Sequence, residues 1–237
     1  MLNELYIDHL IIVTGPTSSG KSTLLRTIQS GELNEEIKSL LPEDVGNWPN
    51  VPSMNTFTPG YIEKLGSSKD NPLKGMVMHY DFIRPFKKIL KGYEQDNIDQ
   101  IINRASSVTV FIIKPDKEVL LKQLKKGELE GGSVETAQKD LLIRRFVTRL
   151  FHKIPEGVRK KIKKLLFSSR KGSVTDFNKI LFYKYQEDGW VDEWYLKFET
   201  YLESKNATGK PIDIKYVKPS GESKQKWVLL IRKKVTG

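Results

Sequence analysis

Apolar residues recur along this chain in several rhythms, and each change of rhythm marks an element. Residues 8–14 hold the block Leu10-Ile11-Ile12-Val13, a short continuous apolar run that predicts a buried strand. Leu24, Leu25 and Ile28 then recur at helical spacing, predicting a helix over 21–30 that stops at Gly31. Periodicity is lost over 32–74. A short helix is predicted near 34–41, followed by a stretch rich in Pro, Asn, Ser and Gly that includes Asn47-Trp48-Pro49-Asn50 and Phe57-Thr58-Pro59-Gly60. Proline at that density argues against long regular elements. A second strand is placed near 51–57, inside a loop (42–74) long enough to be expected to serve function or to move.

Met76-Val77-Met78-His79-Tyr80-Asp81 reads as a buried strand that closes on a carboxylate. Pro85 opens a predicted helix over 86–104. Residues 107–113, rich in Val, Thr, Phe and Ile, form the clearest β run of the chain. Lys114-Pro115-Asp116 ends that run, and Asp116 is a good N-cap for a helix over 117–126. A break follows at 127–132, and 133–206 is helical in pattern almost throughout. Strand patterns return at 212–217 and 227–231 around a Lys-Pro-Ser-Gly turn, the spacing of a hairpin at a sheet edge. Strand–helix alternation over the first half predicts a parallel sheet with right-handed crossovers and a ligand beyond the strand C-terminal ends. The fold class is therefore α/β, a three-layer α/β/α arrangement with a mostly parallel sheet and a large helical insertion. Its expected parts are a core over 1–132 with 42–74 as substrate loop, an insertion or lid over 133–206, and C-terminal strands over 207–237.

Between the first strand and the first helix lies Gly15-Pro16-Thr17-Ser18-Ser19-Gly20-Lys21-Ser22-Thr23, which fits G-x-x-x-x-G-K-[ST] without mismatch. The glycines let successive backbone N–H groups turn inward toward a phosphate, and the helix start adds partial positive charge there. On this motif the chain resembles the P-loop nucleoside triphosphate-binding superfamily, in its nucleoside- or small-molecule-kinase-like branch. The resemblance implies nucleotide binding by Gly15, Thr17, Ser18, Ser19, Gly20, Lys21, Ser22 and Thr23, with Lys21 at the β/γ-phosphates and Ser22 on Mg²⁺. It also implies that Asp81 holds Mg²⁺ or takes the proton of the acceptor hydroxyl. The plainer reading of Asp81 is a strand-end turn carboxylate or helix cap.

Strand alternation sets His79 and Asp81 on one face and Tyr80 on the other, and Arg84 lies just past the strand end, where it could clamp a substrate anion. His79 by itself reads as a packed, hydrogen-bonded histidine. Arg144, Arg145 and Arg149 fall where P-loop kinases carry lid arginines, with Arg145 and Arg149 on one helix face; a solvated basic face is the competing reading. Residues 158–171 alternate lysines and arginines with Ile162, Leu165, Leu166 and Phe167. That pattern is read as a packed amphipathic helix with charges in water ahead of a contact to nucleic acid or anionic lipid. Trp190, Trp194, Tyr195, Phe198 and Tyr201 recur at helical spacing and are read as the core of the helical part. Trp48 either lines the acceptor pocket or pins its loop.

The chain has 237 residues and no cysteine, which excludes disulfides, thiolate metal sites and cysteine nucleophiles. Its acidic N-terminal segment runs straight into the first strand, and no apolar run approaches a membrane span, so a cytoplasmic protein is expected. The formal net charge of +11 fits a nucleic-acid or lipid surface, a polyanionic small substrate with ATP, or a lysine-rich solvated exterior.

Together these readings lead to ATP-dependent, Mg²⁺-assisted phosphoryl transfer to a small-molecule acceptor. Lys21, Asp81, Arg84, Arg145 and Arg149 are the catalytic candidates, and Ser22 and Asp81 the metal ligands. The segment Gly-Pro-Thr-Ser-Ser-Gly-Lys-Ser also resembles the loop of tRNA prenyltransferases, but the acidic substrate motif of those enzymes is missing. An Asn-Lys-x-Asp guanine motif is absent as well. No Glu follows Asp81 to activate water, which favours transfer over hydrolysis. The alternatives are a nucleic-acid-associated P-loop NTPase or polynucleotide kinase and, behind it, sulfotransferase-like chemistry.

Overall fold

The apolar block near the start becomes strand β1 (Ile7–Thr14), and every residue from Leu10 to Thr14 is buried. In the computed structural model, which describes residues 5–51, 61, 64–83, 92–125, 181–220 and 227–230, β1 lies inside a six-stranded sheet. The other strands are β2 (Asn50–Val51), β3 (Leu73–Tyr80), β4 (Ala105–Ile113), β5 (Ile212–Pro219) and β6 (Trp227–Leu230). Their order is β2-β3-β1-β4-β5-β6, parallel from β2 to β5, with β6 antiparallel to β5. The fold is α/β with a mostly parallel sheet, and the hairpin stands at the sheet edge as the spacing predicts.

Contacts divide the chain into two units, Met1–Asp116 with Asp192–Gly237, and Lys117–Val191. The first contains the whole sheet. Helix α1 (Lys21–Ser30) and the single turn α2 (Glu35–Lys38) cover one face, where Leu24, Leu25 and Ile28 meet Ile11, Val13 and Phe111. Gly31 ends α1 in the left-handed region at φ 72°, with the stop residue read from sequence. Helix α3 (Asn97–Arg104) and much of a long helix α5 (Trp190–Ala207) serve the other face.

In the second unit, helix α4 (Lys117–Lys125) buries Leu120 and Leu124, and Lys117 ties to Gln186 and Asp188. Residues 126–180 lie outside the described residues, and with them the break at 127–132, most of the expected insertion and the basic stretch 158–171.

Two details differ from the sequence reading. Within the helix expected over 86–104, residues 92–96 are not α-helical and the described helix starts at Asn97, where the Asp96 side chain accepts the Asn97 N–H at 2.7 Å and caps it; residues 84–91 are outside the described set. Of the aromatic residues on α5, Tyr195, Phe198 and Tyr201 belong to the sheet core, whereas Trp190 packs on Tyr185 at 5.9 Å in the second unit. Phe198 stacks on Tyr80 at 5.6 Å and on Phe82 at 5.4 Å, and the Tyr195 hydroxyl donates to the Ile113 carbonyl at 2.6 Å. Helical spacing reveals a buried face but not which partner buries it.

Trp48 pins its loop. Its ring lies over Gly75 and 5.7 Å from the His9 ring, near the strand starts, at the opposite end of the sheet from the glycine-rich loop. A Cβ on Gly75 would overlap the Trp48 ring. Gly75→Ala is therefore expected to destabilise the protein by about 3 kcal/mol, the upper end for overpacking. Urea unfolding measures this, and Trp48→Leu in the same chain should recover most of the loss. An unchanged midpoint in Gly75→Ala would refute the packing.

Candidate functional site

β1 and β3 are neighbours in register, Thr14 opposite Tyr80, and the Thr14 hydroxyl donates to the Tyr80 carbonyl at 2.8 Å. The two strands thus end side by side. Gly15 follows one and Asp81 follows the other, so topology brings the glycine-rich loop to the acidic strand end.

The loop turns from β1 into α1 through backbone that favours glycine. Gly15 has φ 155°, and a Cβ there would meet Ser19 Oγ at 2.8 Å and the Ile113 carbonyl oxygen at 3.0 Å. Gly20, the N-cap of α1, has φ 95°. Ser18 holds φ 67° with a side chain, a conformation that costs free energy and recurs at functional turns. The Ser19 N–H donates to the Pro16 carbonyl at 3.1 Å, and Gly20 O accepts from Thr23 and Leu24 N–H at 2.9 Å. Ser19 is buried, and its hydroxyl has no hydrogen-bond partner among the described residues. The start of α1 has no side-chain cap and no acidic residue in its first turn. Its dipole is left uncompensated from within, the electrostatic state suited to an anion.

Lys21 is the charged centre. It is only 5% exposed, and its ammonium donates to the Gly15 carbonyl at 3.0 Å and the Pro16 carbonyl at 2.7 Å. The third partner is Asp81 Oδ1 at 2.8 Å, so all three N–H directions of the ammonium are engaged. Burial lowers the Lys21 pKa, and the Asp81 charge opposes that. Asp81 is half-exposed, with His79 Nε2 3.5 Å from the same Oδ1. Partial withdrawal from water pushes its carboxyl up, but His79 and the Lys21 ammonium outweigh this and hold it well below the ordinary carboxylate range. The carboxylate is therefore ionised throughout the physiological range.

Of the residues read from sequence, Gly15, Thr17, Ser18, Ser19, Gly20, Lys21, Ser22 and Thr23 form the loop and first turn of α1, and Asp81 joins them through Lys21. Ser22 is exposed on that turn and Thr23 is half-buried. His79 shares the Asp81 face, and Tyr80 points the other way onto Phe198, as strand alternation requires. Arg84, Arg144, Arg145 and Arg149 lie outside the described residues.

One contributor escaped the sequence reading. Trp227 of β6 is 2% exposed, and its Cη2 lies 3.1 Å from where a Cβ on Gly20 would stand. The only signal was an aromatic residue opening a strand, which says nothing about a partner so far away in sequence.

Among the described residues no group of three or more His, Asp or Glu side chains could by itself hold a metal ion. None of their helices is long and apolar enough to cross a membrane. No family model, no curated protein and no solved structure matches the chain.

Proposed function

We propose that the protein is a P-loop phosphotransferase that binds Mg²⁺–ATP at residues 15–23 and passes the γ-phosphoryl group to a small-molecule acceptor. The observation that carries this reading is the Lys21 ammonium, withdrawn from water at the N-terminus of α1 with the Asp81 carboxylate 2.8 Å away on the neighbouring strand end. A buried cation is expensive unless anions and dipoles surround it. Here two loop carbonyls and one carboxylate hold it, and a polyphosphate offers further negative oxygens at the same place.

The residues present fit Mg²⁺. This hard cation takes oxygen ligands, commonly one or two carboxylates beside substrate phosphates, and so needs no all-protein cage. The Ser22 hydroxyl and the Asp81 carboxylate are the groups that would hold it, and its chemistry there is to neutralise charge on the phosphate oxygens. Lys21 orients the phosphates and offsets the charge that develops on them. Backbone N–H groups at the start of α1 add fixed positive dipoles.

Transfer is favoured over hydrolysis by the residue after Asp81. Phe82 is buried, with its ring against Tyr195 and Phe198, so that position offers no carboxylate to activate water. Arg84, Arg145 and Arg149 remain the candidates for clamping the transferring group.

Calorimetry with a non-hydrolysable ATP analogue tests the binding step. Affinity is expected to fall at least about tenfold when EDTA removes Mg²⁺, since the metal neutralises much of the phosphate charge. Labelled ATP offered with a pool of small hydroxyl compounds tests the transfer step. Label should appear on an acceptor. Release of inorganic phosphate at one rate with or without the pool would make the protein a hydrolase.

A further inference from the structure

We infer that Trp227 is a positioning residue for the glycine-rich loop: its indole backs Gly20 and fixes the angle at which the loop enters α1. The inference rests on the nucleotide-binding reading above.

Gly20 is the weak point of the loop. It combines a left-handed φ of 95° with the N-cap position of a helix that has no side-chain cap. A glycine there has more accessible conformations than any other residue, and its carbonyl bonds to Thr23 and Leu24 fix only the side facing the helix, so a contact from outside adds to what holds it. The side chain beside it is Trp227, whose Cη2 and Cζ2 would lie 3.1 and 3.7 Å from a Cβ on Gly20. Both atoms belong to the second, six-membered ring of the indole. Trp227 belongs to the core cluster that contains Leu24 and Val217. Trp227 stands opposite Pro219 at the end of β5, the end of the sheet that carries the loop.

The indole N–H supplies the second argument. Nε1 is buried and has no hydrogen-bond partner among the described residues, an arrangement that stability alone disfavours. Phenylalanine would fill the core there without an orphan donor. What tryptophan adds is reach, and the ring that supplies it is the ring lying against Gly20.

Trp227→Phe separates the two roles. It removes the orphan N–H and the reaching ring together. Positioning predicts unchanged or higher thermal stability with Mg²⁺–ATP-analogue affinity about tenfold weaker, since a small misplacement of a site acts strongly on binding. A purely structural tryptophan predicts a lower melting temperature with the affinity of the folded protein intact. Trp48→Phe, at the other end of the same core face, should leave affinity unchanged.

Should Trp227→Phe not fold, a protein retaining Trp227 as its only tryptophan (W48F, W190F, W194F) gives an independent reading. Saturating analogue should then shift its emission. Wild-type affinity in Trp227→Phe, or an unresponsive Trp227, overturns the inference and leaves the nucleotide site standing. Failure of wild type to bind any Mg²⁺–nucleotide overturns both.

Discussion

Lys21→Met is expected to weaken Mg²⁺–nucleotide binding by about 100-fold while the fold survives. Methionine keeps most of the volume of a side chain that is 5% exposed, so no cavity opens in the loop. What is lost is the charge. Two charge-assisted hydrogen bonds to phosphate at about 1.5 kcal/mol each amount to roughly that factor. Stability should change by no more than about 1 kcal/mol, because burying the ammonium is itself costly and Asp81 is exposed enough to return to water. Calorimetry gives the affinity and thermal unfolding the fold. Wild-type affinity in the methionine variant would remove the basis for the proposed function.

Asp81→Asn should separate binding from turnover. The Asp81 carboxylate occupies the third N–H of Lys21, so an incoming phosphate must displace it. The amide keeps the shape but carries no charge to hold that position. Affinity for nucleotide without metal is therefore expected to equal or exceed wild type. Turnover should fall about 1000-fold, since the amide can neither ligate a cation as an anion nor accept a proton. The strengthening of binding by Mg²⁺ should shrink with it. Calorimetry with and without EDTA, together with a steady-state assay, gives all three quantities. Surviving turnover would assign Asp81 to structure and leave the catalytic carboxylate elsewhere.

The parts of this arrangement that depend on neighbours in sequence could be read from sequence. A run of apolar residues, a glycine pair and a helical repeat locate β1, the loop and α1 together, and the left-handed Gly20 and Gly31 stand where the motif and the stop residue put them. Alternation along β3 was enough to place His79 beside Asp81 and Tyr80 on the opposite face. Parts that depend on residues far apart in sequence were not legible. Nothing in the local pattern says that Trp48 covers Gly75, that Tyr195 caps the Ile113 carbonyl, or that Trp227 reaches Gly20. Such contacts are decided by strand order, and the aromatic side chains that make them look alike in sequence whether they fill a core, pin a loop or brace a site. Asp96 is an intermediate case. Its capping chemistry is local, but the stronger signal of Pro85 upstream drew the predicted helix start away from it.

The contact between Gly20 and Trp227 also bears on the order in which the protein becomes competent during synthesis. The loop leaves the ribosome well before Trp227, which arrives with β6, the last described strand. Contacts so distant along the chain carry a large closure entropy and form late. A nascent chain can thus display the whole glycine-rich motif before the peptide at Gly20 has its neighbour. If the proposed nucleotide reading holds, the loop settles only once β6 has been made and has joined β5, and tight capture of nucleotide by unfinished chains is expected to be delayed.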